Sequence, residues 1–296
     1  MTARFSPHLA CFLGLSLGES ATVSPAVAQA TEPSSSIVTR APARSSAVYL
    51  RPLAFEMGSS EPEVLSALVS CKREPLPERC DETTFANEMP AHRERVVGFW
   101  MSRTEVTVAA YARCVAAGRC APAGFEGGGL RFQQPELPVT FVSFDDARRY
   151  CAFRGGRLPT EAEFERAARG APRRAYPWGK SFNGKLANHG RLGVDATDAS
   201  DGYAELSPVG SFPDGATPEG ILDLAGNAAE WTLDPYTADY GSPGSPGKTG
   251  ERAVRGGSFA SAAAFLRGAA RAGRPPQTRE PTLGFRCVWA VRPLRE

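Results

Sequence analysis

The sequence predicts an α+β domain in which ordered loops outweigh regular elements, on three observations. The chain of 296 residues holds 30 Gly and 25 Pro, more breakers than a helical bundle or a regular sheet accommodates. Its hydrophobic fraction of 42% is nevertheless ample for a packed core. Helical periodicity occurs only in short capped stretches, separated by brief strand-like runs and one long turn-rich segment.

The elements follow in order. Residues 1–30 carry Arg4, an apolar run from Leu9 to Leu17 and then Ala28-Gln29-Ala30, the layout of a cleavable signal peptide. The run is shorter than the about 20 apolar residues a bilayer span requires. Residues 31–48, rich in Ser, Pro, Thr and Ala, read as a linker, and one domain is expected over 49–293. No element is assigned to the stretch 59–95, which holds two cysteines and several prolines and little periodicity.

Phe99 to Ser102 reads as a strand. Val106 to Ala117 reads as a helix with Val108, Tyr111, Ala112 and Val115 on one face. A second helix starts after Ser143, whose hydroxyl caps it, with Asp145 and Asp146 in the first turn, and stops at Gly155-Gly156. Thr160 and Glu163 form a capping box for a third helix that ends at Gly170. It sets Phe164, Ala167 and Ala168 on one side and turns Glu165, Arg166 and Arg169 towards solvent or partners. From Tyr176 to Glu230 the chain is turns with scattered Asn and Asp, and a final strand is expected from Gly284 through Val291.

The 34 basic and 32 acidic residues nearly cancel, and no basic run tracks phosphates, so nucleic acid is not an expected partner. Without the leader six cysteines remain: Cys71, Cys80, Cys114, Cys120, Cys151 and Cys287. An even count suits disulfides in an oxidising compartment, periplasmic or extracellular. Two short-range pairs, Cys71 with Cys80 and Cys114 with Cys120, leave Cys151 and Cys287 to close a long loop, but other pairings satisfy the same count.

Eight blocks then occur in register: FEMG at 55–58, EMPAHRERV at 88–96, RTEVTVAAY at 103–111, the long run LPVTFVSFDDARRYCAFRGGRLPTEAEFERAARG at 137–170, YPWG at 176–179, GNAAEW at 226–231, RGGSF at 255–259 and GFRC at 284–287. Together they resemble the formylglycine-generating-enzyme, or sulfatase-modifying-factor, family across nearly the whole expected domain. The resemblance implies a compact, irregular fold related to C-type-lectin-like domains. It also implies a disulfide between Cys151 and Cys287.

Asp223 and Glu230 place two carboxylates around a Gly-Asn turn, a hard-oxygen arrangement suited to calcium. The resemblance implies one structural calcium on the side chains of Asp223 and Glu230 with the carbonyls of Gly226 and Ala228. It implies another on Asn188 and Asp201 with the carbonyls of His189 and Tyr203.

Members of this family that make formylglycine hold copper(I) on two cysteines five residues apart, just after the RGGS block. The matching positions here are Ser261 and Leu266. Copper(I) requires soft thiolate donors, and leucine has no donor atom. Iron-dependent relatives draw on several histidines, whereas this chain has three, of which His8 lies in the leader and His92 and His189 remain. Neither copper nor iron is therefore expected. The reading that follows is an exported, calcium-stabilised binding or accessory module, with Arg255, Arg267, Arg271 and Arg274 lining a groove for a peptide, protein or surface ligand. The other reading is a divergent oxidoreductase acting on a sulfur or phenolic substrate.

Overall fold

In the computed structural model, residues 46–125, 129–192, 198–240 and 250–290 are described, all within one compact unit, Arg44–Glu296. The expected leader and most of the expected linker lie outside the described residues. Strand β1 (Ala47–Leu50) begins just before the expected domain boundary and pairs antiparallel with β4 (Phe99–Ser102). Between them β2 (Leu53–Met57) pairs with β3 (His92–Val96).

The stretch left unassigned contains α1 (Glu61–Cys71). Ser60 and Glu63 form its capping box, and Val64, Ala67, Leu68 and Cys71 make the i, i+3, i+4, i+7 stripe that it buries. Helix α2 (Val108–Ala116) is capped by Thr107, whose hydroxyl accepts from the Ala110 amide at 3.1 Å. Its buried face is Ala110, Tyr111 and Cys114, while Ala112 is exposed. The Cys114–Cys120 disulfide ties that side inward and so rotates the stripe by about one position from the expected one.

Helices α3 (Phe144–Phe153) and α4 (Glu161–Arg169) start at the capping boxes of Ser143 with Asp146 and Thr160 with Glu163. Helix α4 stops at Gly170, whose φ of +58° an L side chain rarely adopts. Phe164, Ala167 and Ala168 are buried as expected, but so are Glu165, Arg166 and Arg169. Local polarity misassigned these three, because their partners come from far along the chain. Glu165 accepts from the Gly58 amide at 2.7 Å, Arg169 reaches Glu63 at 2.6 Å, and Arg166 reaches Glu219 at 3.0 Å.

The C-terminal half forms a four-stranded sheet from β5 (Ala229–Pro235), β6 (Arg252–Arg255), β7 (Arg271–Arg274) and β8 (Leu283–Gly284), in the order β7-β6-β5-β8. Strand β9 (Val288–Trp289) leaves it to pair with β4, so the expected final strand is broken in two. One core packs Trp231, Phe285, Tyr111 and Tyr150 around the Cys151–Cys287 disulfide. A second packs Leu50, Phe99, Met101, Phe164, Ile221 and Leu224. No described helix is long and apolar enough to cross a membrane.

Candidate functional site

The turn-rich segment is organised by hydrogen bonds rather than by regular structure. Asn227, with a φ of +57°, lies at its centre. Its side-chain oxygen accepts from the Ser207 amide at 3.0 Å and from Asn188 Nδ2 at 3.1 Å, and its Nδ2 donates to Glu105 Oε1 at 3.0 Å.

The first expected calcium set is drawn together around Asp201. Its carboxylate accepts from the His189 amide at 2.6 Å and from the Tyr203 amide at 2.8 Å. Asn188 is 1% exposed, and its Nδ2 also donates to the Glu205 carbonyl at 2.8 Å. Its Oδ1 is buried without a partner. An orphaned amide oxygen of this kind carries a desolvation cost that a bound cation would remove, so the donor set fits calcium.

The second expected set is only partly arranged as anticipated. Asp223 Oδ2 accepts from the Gly210 amide at 2.7 Å. Both oxygens of Glu230, fully buried, are taken by Arg286: Nε at 2.9 and 2.7 Å, and one terminal nitrogen at 2.7 Å. That same nitrogen donates to the carbonyls of Leu222 and Asp223, which fixes the turn leading into the Gly226 loop. Sequence reasoning missed both Arg286 and Glu105, the latter from the RTEVTVAAY block. Glu105 Oε2 is buried without a donor. Burial, and next the Asp223 charge, hold its carboxyl well above the usual carboxylate range. Burial likewise raises Asp223 and Glu230, against the opposing charge of Arg286. Among the described residues no three His, Cys, Asp or Glu side chains converge as a metal cage, so an ion here would draw on carbonyl and amide oxygens as well.

The positions matched to the copper ligands carry other chemistry. Ser261 Oγ accepts from the Ser258 amide at 3.0 Å, closing a tight turn. Leu266 is fully buried against Tyr176 and Ala225, at the end of a single helical turn, Ala263–Leu266. Cys71 joins Cys80, Cys114 joins Cys120 and Cys151 joins Cys287, so none of these six offers a thiolate.

The arginines expected to line an open groove are mostly locked inside. Arg255 reaches Glu161 at 3.0 Å and Glu165 at 2.7 Å, Arg271 reaches Glu161 at 2.5 Å, and Arg267 reaches Glu88 at 2.6 Å. Only Arg274 extends towards solvent, paired with Glu280 at 3.3 Å. Buried guanidinium groups need carboxylates to offset their desolvation, and α4 and the turn before Met89 supply them. Arg255, Arg271 and Arg274 still border a cavity of about 160 Å³, shared with Ser258, Ser261 and Phe265. His92 and His189 are not brought to one site: His92 packs on Tyr240, and His189 on Phe182.

The chain is 40% identical over 174 residues to inactive C-alpha-formylglycine-generating enzyme 2 of Bos taurus, covering 56% of this chain and 54% of that protein. It is 32% identical over 250 residues to hercynine oxygenase of Mycolicibacterium thermoresistibile, covering 69% and 54%. The chain thus spans about half the length of these relatives. Among solved structures, that of PvdO from Pseudomonas aeruginosa superposes with a TM-score of 0.64 at 27% identity, covering 83% of this chain and 94% of that one. Residues 41–291 match the sulfatase-modifying factor enzyme 1-like domain, and the chain belongs to that family.

Proposed function

We propose that this protein is an exported, calcium-stabilised binding or accessory module that keeps the family frame without its copper-dependent oxidation. One observation carries the reading: the two positions matched to the copper ligands are Ser261, held in a turn, and Leu266, buried in the core. The six cysteines that the leader does not contain are disulfides, and a disulfide sulfur is not a copper(I) thiolate. Similarity to a relative named as inactive supports the same reading. Three disulfides are compatible with the periplasmic or extracellular location that the leader implies. The partner is a peptide, protein or surface ligand, and the cavity at Ser258 and Ser261 is the place for it.

The test is incubation of the mature protein with a Cys-x-Pro-x-Arg peptide, copper(I) and oxygen, read by mass spectrometry for thiol-to-aldehyde conversion. No turnover above a protein-free control is expected, and turnover overturns the reading. Calcium is tested separately by calorimetry: a chelator lowers the unfolding temperature, and an unchanged temperature removes calcium from the proposal. The similarity to a hercynine oxygenase favours a second reading, a divergent oxidoreductase. Stoichiometric iron or copper in the purified protein would select that reading.

A further inference from the structure

We propose that the cavity at Ser258 and Ser261 captures the C-terminal residue of a peptide by its free carboxylate, an inference that rests on the binding-module reading above and names the ligand of that site. Size is the first argument. The cavity measures about 160 Å³, well below the roughly 300–1,000 Å³ of a site for a drug-sized molecule. It has room for one residue rather than for a length of chain. Its mouth carries the Arg274–Glu280 pair, whose side chains are 42% and 32% exposed, so the rest of a peptide can leave towards solvent.

The lining has donors to spare. Ser258 Oγ accepts from the Ala260 amide at 3.2 Å, and Ser261 Oγ accepts from the Ser258 amide at 3.0 Å. The two hydroxyls are 3.4 Å apart, so one can donate to the other, but the second O–H is then left over. Arg255 adds another donor. Its terminal nitrogens are spent on Glu161, Glu165, Tyr240 and the Gly268 carbonyl, whereas Nε is buried with no partner. An unmet buried donor carries a desolvation cost that a ligand oxygen removes. A carboxylate is the group that accepts several hydrogen bonds and brings no donor of its own. A terminal amide would add two N–H donors to a set that already exceeds its acceptors. Val254, Ala270 and Phe265 then form an apolar wall for a small side chain, with Phe265 held by Phe85 at 5.2 Å between ring centres.

The experiment titrates the tripeptides Gly-Gly-Ala, Gly-Gly-Val and Gly-Gly-Leu, each as free acid and as C-terminal amide, into the oxidised native chain by calorimetry, with L-valine alone as a further arm. At least one free acid is expected to bind about tenfold or more tighter than its amide, the scale of a charge-assisted hydrogen bond. Ser258→Ala should reduce that preference while leaving the weak binding of the amide unchanged. Equal binding of acid and amide overturns the proposal, as does a panel in which no free acid binds. Binding of L-valine without binding of any tripeptide assigns the cavity to a free amino acid and overturns the peptide terminus. If Ser258→Ala does not fold, the acid-to-amide comparison on the native chain decides alone. Failure of these arms leaves the binding-module reading standing, which only thiol-to-aldehyde turnover overturns.

Discussion

Replacing Arg255 by Met tests whether Arg255, Arg267 and Arg271 are structural ties or a free binding surface. The guanidinium is fully buried and makes four interactions: Glu161 at 3.0 Å, Tyr240 at 3.1 Å, Glu165 at 2.7 Å and the Gly268 carbonyl at 2.7 Å. Methionine preserves most of the stem packing over Phe164 and removes the charge. Neither carboxylate is left bare, because Arg271 still holds Glu161 and Arg169 still holds Glu165 at 2.8 Å. The cost therefore falls at the lower end of the range for breaking a buried pair, about 3 kcal/mol. An arginine standing in an open groove would cost at most about 0.5 kcal/mol. The assay is urea unfolding of the oxidised protein, followed by tryptophan fluorescence, to which the fully buried Trp231 contributes. With a slope of about 3 kcal/mol per molar urea, the midpoint should fall by about 1 M. Arg274→Met, whose side chain is 42% exposed, is the control and should stay within about 0.5 kcal/mol of the native protein. An Arg255→Met midpoint indistinguishable from that control would refute the buried-tie argument.

Three further outcomes are expected. Leu266→Ala should cost about 2–5 kcal/mol by urea unfolding, because the residue filling the copper-ligand position is a fully buried packing unit; a loss below about 1 kcal/mol would contradict that. Removing the Cys151–Cys287 bridge, which closes a loop of separation 136, should cost about 5 kcal/mol, against about 2 kcal/mol for Cys114–Cys120 at separation 6. Comparable losses in the two double Cys→Ser variants would show that loop entropy is not the governing term. Burial pushes the Glu161 carboxyl up, but the charges of Arg271 and Arg255 outweigh it and leave the group below its ordinary value. Its stabilisation is therefore present above an unfolded-state value of about 4.3 and is lost as pH falls through the lower folded value. Native protein should lose more stability than Glu161→Gln on acidification below about pH 4.5, and parallel curves would count against it.

What the sequence made legible was what local chemistry decides. Ser143 with Asp146 and Thr160 with Glu163 mark the starts of α3 and α4, and Gly170 marks the end of α4. Helix α1 carried an equally readable stripe, Val64, Ala67, Leu68 and Cys71 behind the Ser60 cap, but the prolines around it masked the signal. Long-range pairing left no local trace. Glu165, Arg166 and Arg169 look solvent-facing because i, i+3, i+4 logic contains no information about Gly58, Glu63 or Glu219. The candidate site divides in the same way. Asp223 and Glu230 stand out by spacing around a turn, whereas Arg286 and Glu105 come from segments far along the chain, the first bound to Glu230 and the second to Asn227. Each had one usable hint, Arg286 its place in the GFRC block and Glu105 its place in the RTEVTVAAY block.

The buried pairs also bear on what the cavity at Ser258 can recognise. Arg255 and Arg271 face it with their charge already matched by Glu161 and Glu165, and Arg267 is matched by Glu88. A buried ion pair exerts little net field, so these cations do not act as a positive patch for an acidic partner. What remains at the cavity is the Ser258 hydroxyl beside that of Ser261 at 3.4 Å, the apolar walls of Val254, Ala270 and Phe265, and one rim pair, Arg274 with Glu280. Those groups offer hydrogen bonds and apolar contact with balanced charge, which suits a neutral or zwitterionic group better than a multiply charged anion. The walls of this cavity are thus held by ion pairs, Arg255 with Glu165, Arg271 with Glu161 and Arg267 with Glu88. The packing around Ser261 and Leu266 draws its ion pairs from α4 and the Glu88 turn, so it does not need thiolates at those two positions.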